Sequence, residues 1–296
     1  MQLTWSTEQR NPRTLEIDTL DASGRVDLIL AEDALVVPAV QRVAGAIAQA
    51  VDLAVATLAA GGRVHYVGAG TSGLLAVLDA VELFPTYGVG DDMVIAHLAG
   101  GLDAMLHAVE GAEDDAEEGA RIVAEAGSHD LVVGIAASGR TPYVRGALEA
   151  ARARGLRRVL ISSNTAAPLA DLADVAILPD TGPEAITGST RMKAATAQKI
   201  ILNTLSTATM VGLGKTYSNL MVDVVATNEK LRHRMVHIVA EATGADIATC
   251  QAALASSEGN VGVACVMLLA GVDAVAASAA LRDHPRVREA LASLRG

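Results

Sequence analysis

The sequence predicts an α/β protein built on a doubly wound parallel sheet flanked by helices, with a small C-terminal helical appendage. Three observations carry that prediction. Short β-prone apolar runs alternate with stretches of helical periodicity as far as about residue 226, and strands separated by helices favour parallel pairing through right-handed crossovers. Loops rich in glycine and hydroxyl residues follow two of these runs directly. The core must be aliphatic, because 51% of the 296 residues are hydrophobic while only one Phe, one Trp and four Tyr occur. Ala, Val, Leu and Ile suit helices packed on a sheet that is buried on both faces.

Residues 1–30 are polar and carry Pro12 and Gly24, which reads as an N-terminal arm laid on a neighbouring subunit or on the domain itself. Helical spacing then runs over 36–60 and stops at Gly61-Gly62, a pair suited to a left-handed C-terminal cap. A strand over 63–67 leads into Gly68-Ala69-Gly70-Thr71-Ser72-Gly73 and a helix ending at Glu82. A second strand over 93–98 precedes helices over 102–126, and a buried strand spans 130–136. Next comes Ala137-Ser138-Gly139-Arg140-Thr141-Pro142, with Pro142 in the first turn of the following helix. Strands over 157–162 and 175–178, a loop over 179–190 and a long helix from Arg191 complete the sheet region. Only helical patterns follow residue 227, so the expected organisation is an arm (1–30), a sheet domain (31–226) and a helical subdomain (227–296). A chain of this length is near the upper limit of about 250–300 residues for a single core.

Charge and cysteine usage narrow the function. With 34 acidic against 23 basic residues the net charge is −11, which argues against nucleic-acid and membrane-surface partners, since both need clustered Lys and Arg. An anionic ligand must therefore be held by local donors. Cys250 and Cys265 lack CxxC spacing and read as two buried thiols. The N-terminal residues show neither the basic start nor the apolar run of a secretory signal, which points to the cytoplasm. The apolar stretch 261–281 is interrupted by Gly271 and Asp273, so it predicts two Ala-rich core helices rather than a membrane span of about 20 unbroken apolar residues.

Gly68 to Gly73 matches G-x-G-x-x-G, yet the acid that would bind a nucleotide ribose is missing where the second strand ends in His97-Leu98-Ala99-Gly100. The same geometry serves a phosphate held by backbone N–H groups and hydroxyls at a helix N-terminus. Two such loops offer Gly70, Thr71 and Ser72, and Ser138, Gly139 and Thr141, as a small phosphosugar requires. Arg140, and Ser189, Thr190, Arg191 and Lys193 before the long helix, add hydroxyls and positive charge. Among carboxylates, Glu82 stands beside Leu83-Phe84-Pro85, an apolar setting that would raise its pKa, and Glu113 lies in the acidic run 110–115. His233 and His237 are spaced i, i+4 without the Glu of HExxH or a third ligand, so no metal is expected.

The blocks Thr7-Glu8-Gln9-Arg10-Asn11-Pro12, Gly68 to Gly73 with Leu78-Asp79-Ala80, Pro85-Thr86-Tyr87-Gly88, Gly134 to Tyr143, Gly188-Ser189-Thr190-Arg191-Met192-Lys193-Ala194, Asn219 to Asp223 and Ala226-Thr227-Asn228 span nearly the whole chain. In this order they resemble the N-acetylmuramic acid 6-phosphate etherases, proteins of the sugar isomerase (SIS) fold. The resemblance implies cleavage of a lactyl ether on a phosphorylated amino sugar, with no metal or organic cofactor, in a homodimer. It implies Glu82 as the acid that protonates the departing lactate and Glu113 as the base that takes the carbon 2 proton. Two other uses of such a fold are a phosphosugar aldose/ketose isomerase and a non-catalytic phosphosugar sensor. The chain departs from the family pattern at Leu74, where Arg is usual, at Val81, Leu83 and Phe84 around the acid, and at Ala195 in place of Gly. The first two changes remove polarity near the site.

Overall fold

The computed structural model describes residues 6–107, 109–226 and 229–295. After two 3-10 turns, α1 (Ala22–Asp33), α2 (Val36–Gln41) and α3 (Ala44–Ala59) precede β1 (Val64–Gly68). Then follow α4 (Gly70–Tyr87), β2 (Val94–Leu98), α5 (Ala116–Ala124), β3 (Leu131–Ile135), α6 (Pro142–Ala153), β4 (Arg157–Ile161), β5 (Val175–Ile177) and α7 (Lys193–Gly212). The five strands form one parallel sheet in the order β2-β1-β3-β4-β5. Helices cover both faces. Val67 sits opposite Gly134, whose missing side chain makes room for Val144 of α6. Leu98, opposite Gly68 and thus on the other face, meets Gly73 of α4. With both faces covered, β1 and β3 are buried at every position, which is why β3 reads as an unbroken apolar run and β1 as one interrupted only by His65.

The expected strands appear, and several helices differ from their sequence reading for local reasons. The 36–60 helix is split into α2 and α3. The 102–126 stretch begins as two 3-10 turns, Gly101–Met105 and Ala112–Asp114, because Gly100 and Gly111 at their N-caps adopt positive φ; only α5 is α-helical, capped by Asp115 accepting from Glu118 N–H. The helix from the first glycine loop does not stop at Glu82 but runs through Pro85 to Tyr87. Leu83 and Tyr87, one turn apart, are both buried and hold it there. The arm contains α1, capped by Asp21, and lies on its own domain: Asn11 donates to Pro183 O at 3.1 Å and Thr14 Oγ1 to Ala185 O at 2.8 Å.

By compactness the chain forms two units, one taking residues up to Ala80 and Asp91–Ser206, the other Val81–Gly90 and Thr207 onward. The division falls inside α7 rather than at the expected 226/227, since Val222 and Val224 join the apolar cluster of the second unit. Thr227 and Asn228, which end the last sequence block, lie outside the described residues. The second unit holds a hairpin of β6 (Thr216–Tyr217) and β7 (Leu220–Met221), then α8 (Glu229–Thr243), α9 (Ile247–Ser256), α10 (Val261–Ala270), α11 (Ala274–Asp283) and α12 (Val287–Ser293). Asp246, Asn260 and Asp273 cap α9, α10 and α11. Cys250 and Cys265 are free and buried in its core. No single helix among the described residues is long and apolar enough to cross a membrane.

A buried polar chain crosses the α6 face of the sheet. Asp130 accepts from the backbone N–H of Arg63 (2.8 Å) and Gly127 (2.7 Å), and its Oδ2 lies 2.8 Å from His65 Nε2. An acceptor there makes His65 Nε2 the donor, so His65 Nδ1 accepts from His97 Nε2 at 3.0 Å. Burial pushes both histidines down, His97 to about 4. A histidine kept neutral in the fold stabilises it above its ordinary value of 6.5, and that contribution is lost as pH falls through the folded value. The thermal midpoint is therefore expected to drop between pH 6.5 and about 4, with His97→Gln flattening this part of the curve. A wild-type midpoint that stays level across the window would contradict the assignment.

Candidate active site

The strand order places β1 and β3 side by side, with the chain winding outward from them in both directions. Ligands of open α/β sheets sit outside the carboxyl ends of the strands at such a switch point. The loops that follow β1 and β3 are the two predicted from the sequence. Gly70, with φ +52, opens α4; Thr71 is exposed, and Ser72 is buried with its Oγ donating to Gln198 Oε1 at 2.9 Å. In the second loop Ser138, Arg140 and Thr141 are half-buried. Thr141 is the N-cap of α6 and makes no side-chain capping bond. Gly139 combines φ +66 with a site where a Cβ would stand 2.3 Å from Ala167 Cβ, so only glycine fits. Asn164, just beyond β4, braces this loop by donating to Ser138 O at 2.9 Å.

Glu113 shares a pocket with the first loop. A cavity of about 280 Å³ is lined by Ala69, Gly70, Ala99, His107, Glu110 and Glu113, among others. The 3-10 turn started by Gly111 presents the Glu113 side chain to solvent. His107 is a pocket residue the sequence reading did not single out; its only signal was proximity in sequence to the acidic run. Glu82 is placed differently from the expectation. It lies within α4, not at its end, and its side chain is exposed beside Val81 and Phe84, which are exposed themselves. The drier setting inferred from Leu83-Phe84-Pro85 is absent because, of the three, only Leu83 turns into the core.

The third loop divides its residues between surface and interior. Ser189 and Thr190 are half-buried and Arg191 is exposed. Lys193 corrects the sequence reading, which gave it a ligand's charge to balance: it is 0% exposed and its Nζ pairs with Glu32 at 2.7 Å. Glu32 also accepts from Asn11 at 2.7 Å and from Arg13. Bonds from Arg13 first, then Lys193 and Asn11, outweigh burial and bring the Glu32 carboxyl down to about 2. The N-terminus of α7 is likewise occupied, since Glu184 accepts from Lys193 N–H and Ala194 N–H at 2.9 Å each. Burial raises the Glu184 pKa against the pull of those amides.

The parallel five-stranded sheet with glycine loops at its switch point is that of a doubly wound α/β protein, and the family models narrow it to the SIS class. The SIS domain family model matches residues 102–208, and that of the glucokinase regulatory protein N-terminal SIS domain matches 46–152. A phosphoheptose isomerase from Francisella tularensis superposes with a TM-score of 0.50 at 21% identity, covering 62% of this chain and 97% of its own, a likeness of fold. The N-acetylmuramic acid 6-phosphate etherase of Serratia proteamaculans (strain 568) is 54% identical over 280 residues, covering 94% of each chain. The etherase of the same name from Thermobifida fusca (strain YX) is 55% identical over 263 residues, 89% of this chain and 86% of its own. The chain belongs to the N-acetylmuramic acid 6-phosphate etherases.

Proposed function

We propose that this protein is a carbon–oxygen lyase that cleaves the D-lactyl ether of N-acetylmuramic acid 6-phosphate, giving N-acetylglucosamine 6-phosphate and D-lactate, in the recycling of cell-wall sugars. Identity above one half over nearly the full length of relatives bearing that name carries the reading. Ring opening exposes an aldehyde that acidifies the carbon 2 proton. Glu113 removes that proton; the electron pair then expels the lactyl oxygen from carbon 3, and Glu82 protonates it as the bond breaks. Water adds to carbon 3 of the resulting unsaturated aldehyde, and a proton returns to carbon 2. Such general acid and base roles require the two carboxyl groups to hold different protonation states.

The phosphate carries about −1.5 to −2 charges at pH 7, and the protein as a whole repels it. We assign its binding to Gly70, Thr71, Ser72, Ser138, Gly139 and Thr141, with Ser189 and Thr190 beside them and Arg140 and Arg191 offsetting charge. Support comes from the position of the first two loops at the switch point. We further assign a homodimer in which a second subunit dries the surroundings of Glu82, on the strength of the exposed apolar residues Leu74, Leu78, Val81 and Phe84 along the same helix. The cytoplasm is the proposed location, a reducing compartment suited to two free thiols. The test is incubation of purified protein with N-acetylmuramic acid 6-phosphate and assay of D-lactate. Absence of lactate at high enzyme concentration would remove the etherase reading in favour of a sensor, and a ketose product would favour an isomerase.

A further inference from the structure

We infer that Gln198 of α7 is a positioning residue for phosphate binding: the orientation of its side-chain amide decides whether Ser72 can give its hydroxyl hydrogen to the ligand. The inference rests on the phosphosugar reading above. Ser72 stands in the first turn of α4, at the carboxyl edge of β1, and is 7% exposed. Its Oγ donates to Gln198 Oε1 at 2.9 Å. A hydroxyl has one hydrogen, and a phosphate dianion offers only acceptors. In this arrangement the Ser72 side chain has nothing to donate to an anion.

Gln198 supplies the second half of the argument. It is 1% exposed, and its Nε2, a donor with two hydrogens, has no hydrogen-bond partner. A buried donor left unmade is costly. Turning the amide by half a rotation exchanges the two atoms, which differ little in shape. Nε2 then donates to Ser72 Oγ, and the serine hydrogen is released toward the phosphate. One rotation therefore gives the orphan donor a partner, shifts the unmade position to the amide oxygen, and converts Ser72 into a donor for a charged acceptor, the stronger kind of hydrogen bond. The seam between the two helices is braced further along, where Asn203 and Ser206 of α7 donate to Asp79 Oδ1 of α4 at 2.6 and 3.1 Å. Gln198 and Ser72 thus face each other across a tied contact.

The experiment uses the full chain and measures kcat and KM for D-lactate release, together with inhibition by inorganic phosphate. In Gln198→Glu the ionised carboxyl only accepts and keeps the serine hydrogen. KM and the phosphate inhibition constant are expected to rise together by about tenfold or more, the weight of one hydrogen bond to a charged group, while kcat changes by less than about threefold. The defect relative to wild type should narrow at lower pH, because a protonated carboxyl can donate to Ser72. Gln198→Met frees the hydroxyl without orienting it and should raise KM by about threefold, less than the charged substitution. Ser72→Ala should match Gln198→Glu, and combining the two should add little.

Unchanged KM in Gln198→Glu, a larger defect in Gln198→Met, or effects that multiply in the double variant would overturn the proposal. If Gln198→Glu fails to fold, the cycle of Gln198→Met with Ser72→Ala decides by the same criterion: multiplying effects overturn it, and a shared effect supports it. Should the wild type release no lactate, the etherase reading fails separately. Calorimetric titration of the same variants with N-acetylglucosamine 6-phosphate then tests Gln198 through affinity alone, a weaker affinity in Gln198→Glu than in Gln198→Met supporting it and equal affinities overturning it.

Discussion

Replacing Glu113 by Gln is expected to lower lactate release by about 10²- to 10⁴-fold in kcat, the usual weight of general base assistance, and to slow solvent exchange at carbon 2 to the same degree. Both readouts fail together because proton removal precedes every later step. Glu82→Gln should separate them: lactate release is abolished while the carbon 2 proton still exchanges, since the group that protonates the leaving oxygen acts only after the enolate has formed. Deuterium incorporation in heavy water, followed by NMR beside a lactate assay, measures both. Lactate release at the wild-type rate from the Glu82 variant would remove its acid role, and unimpaired exchange in the Glu113 variant would place the base elsewhere. Glu113 lines the pocket that also contains Gly70, so a base there works beside the turn assigned to the phosphate.

The second large effect concerns stability. Glu32→Ala leaves the buried Lys193 ammonium without its partner, and removing one member of a buried ion pair typically costs about 3–5 kcal/mol. For a domain of roughly this size each kcal/mol lowers the thermal midpoint by about 2–4 °C, so a fall of roughly 6–20 °C is expected. Adding Lys193→Met should recover much of the loss, because a buried pair replaced whole by apolar groups is often neutral. A midpoint unchanged in Glu32→Ala would show that Lys193 does not depend on this carboxylate. The pH dependence has a definite sign. The Glu32 carboxyl is depressed from 4.5 to about 2, so its contribution is present above 4.5 and is lost as pH falls toward 2.

The sheet was legible because its central strands β1 and β3 are buried at every position, and burial of that kind leaves short runs dominated by apolar residues, with His65 the one polar member. Pro142 at the first turn of α6 and Gly61 in the left-handed region after α3 were readable for a related reason: their backbone restrictions act locally. The extension of α4 past Pro85 was not readable, since it depends on Leu83 and Tyr87 being buried. Gln198 carried no sequence signal either; a glutamine in a helix is usually a surface residue, and only the approach of α7 to α4 gives it Ser72 as a partner.

By itself, then, the sequence determined what short-range chemistry dictates: strand positions, glycine turns, helix starts, the loops rich in hydroxyls and the family to which the motif blocks point. Tertiary structure alone decided which charges remain available. Lys193 and Arg191 are two residues apart in one motif, yet one is sealed against Glu32 and the other meets solvent. An ammonium is drawn inside only where a distant carboxylate meets it, and Glu32 stands far away along the chain.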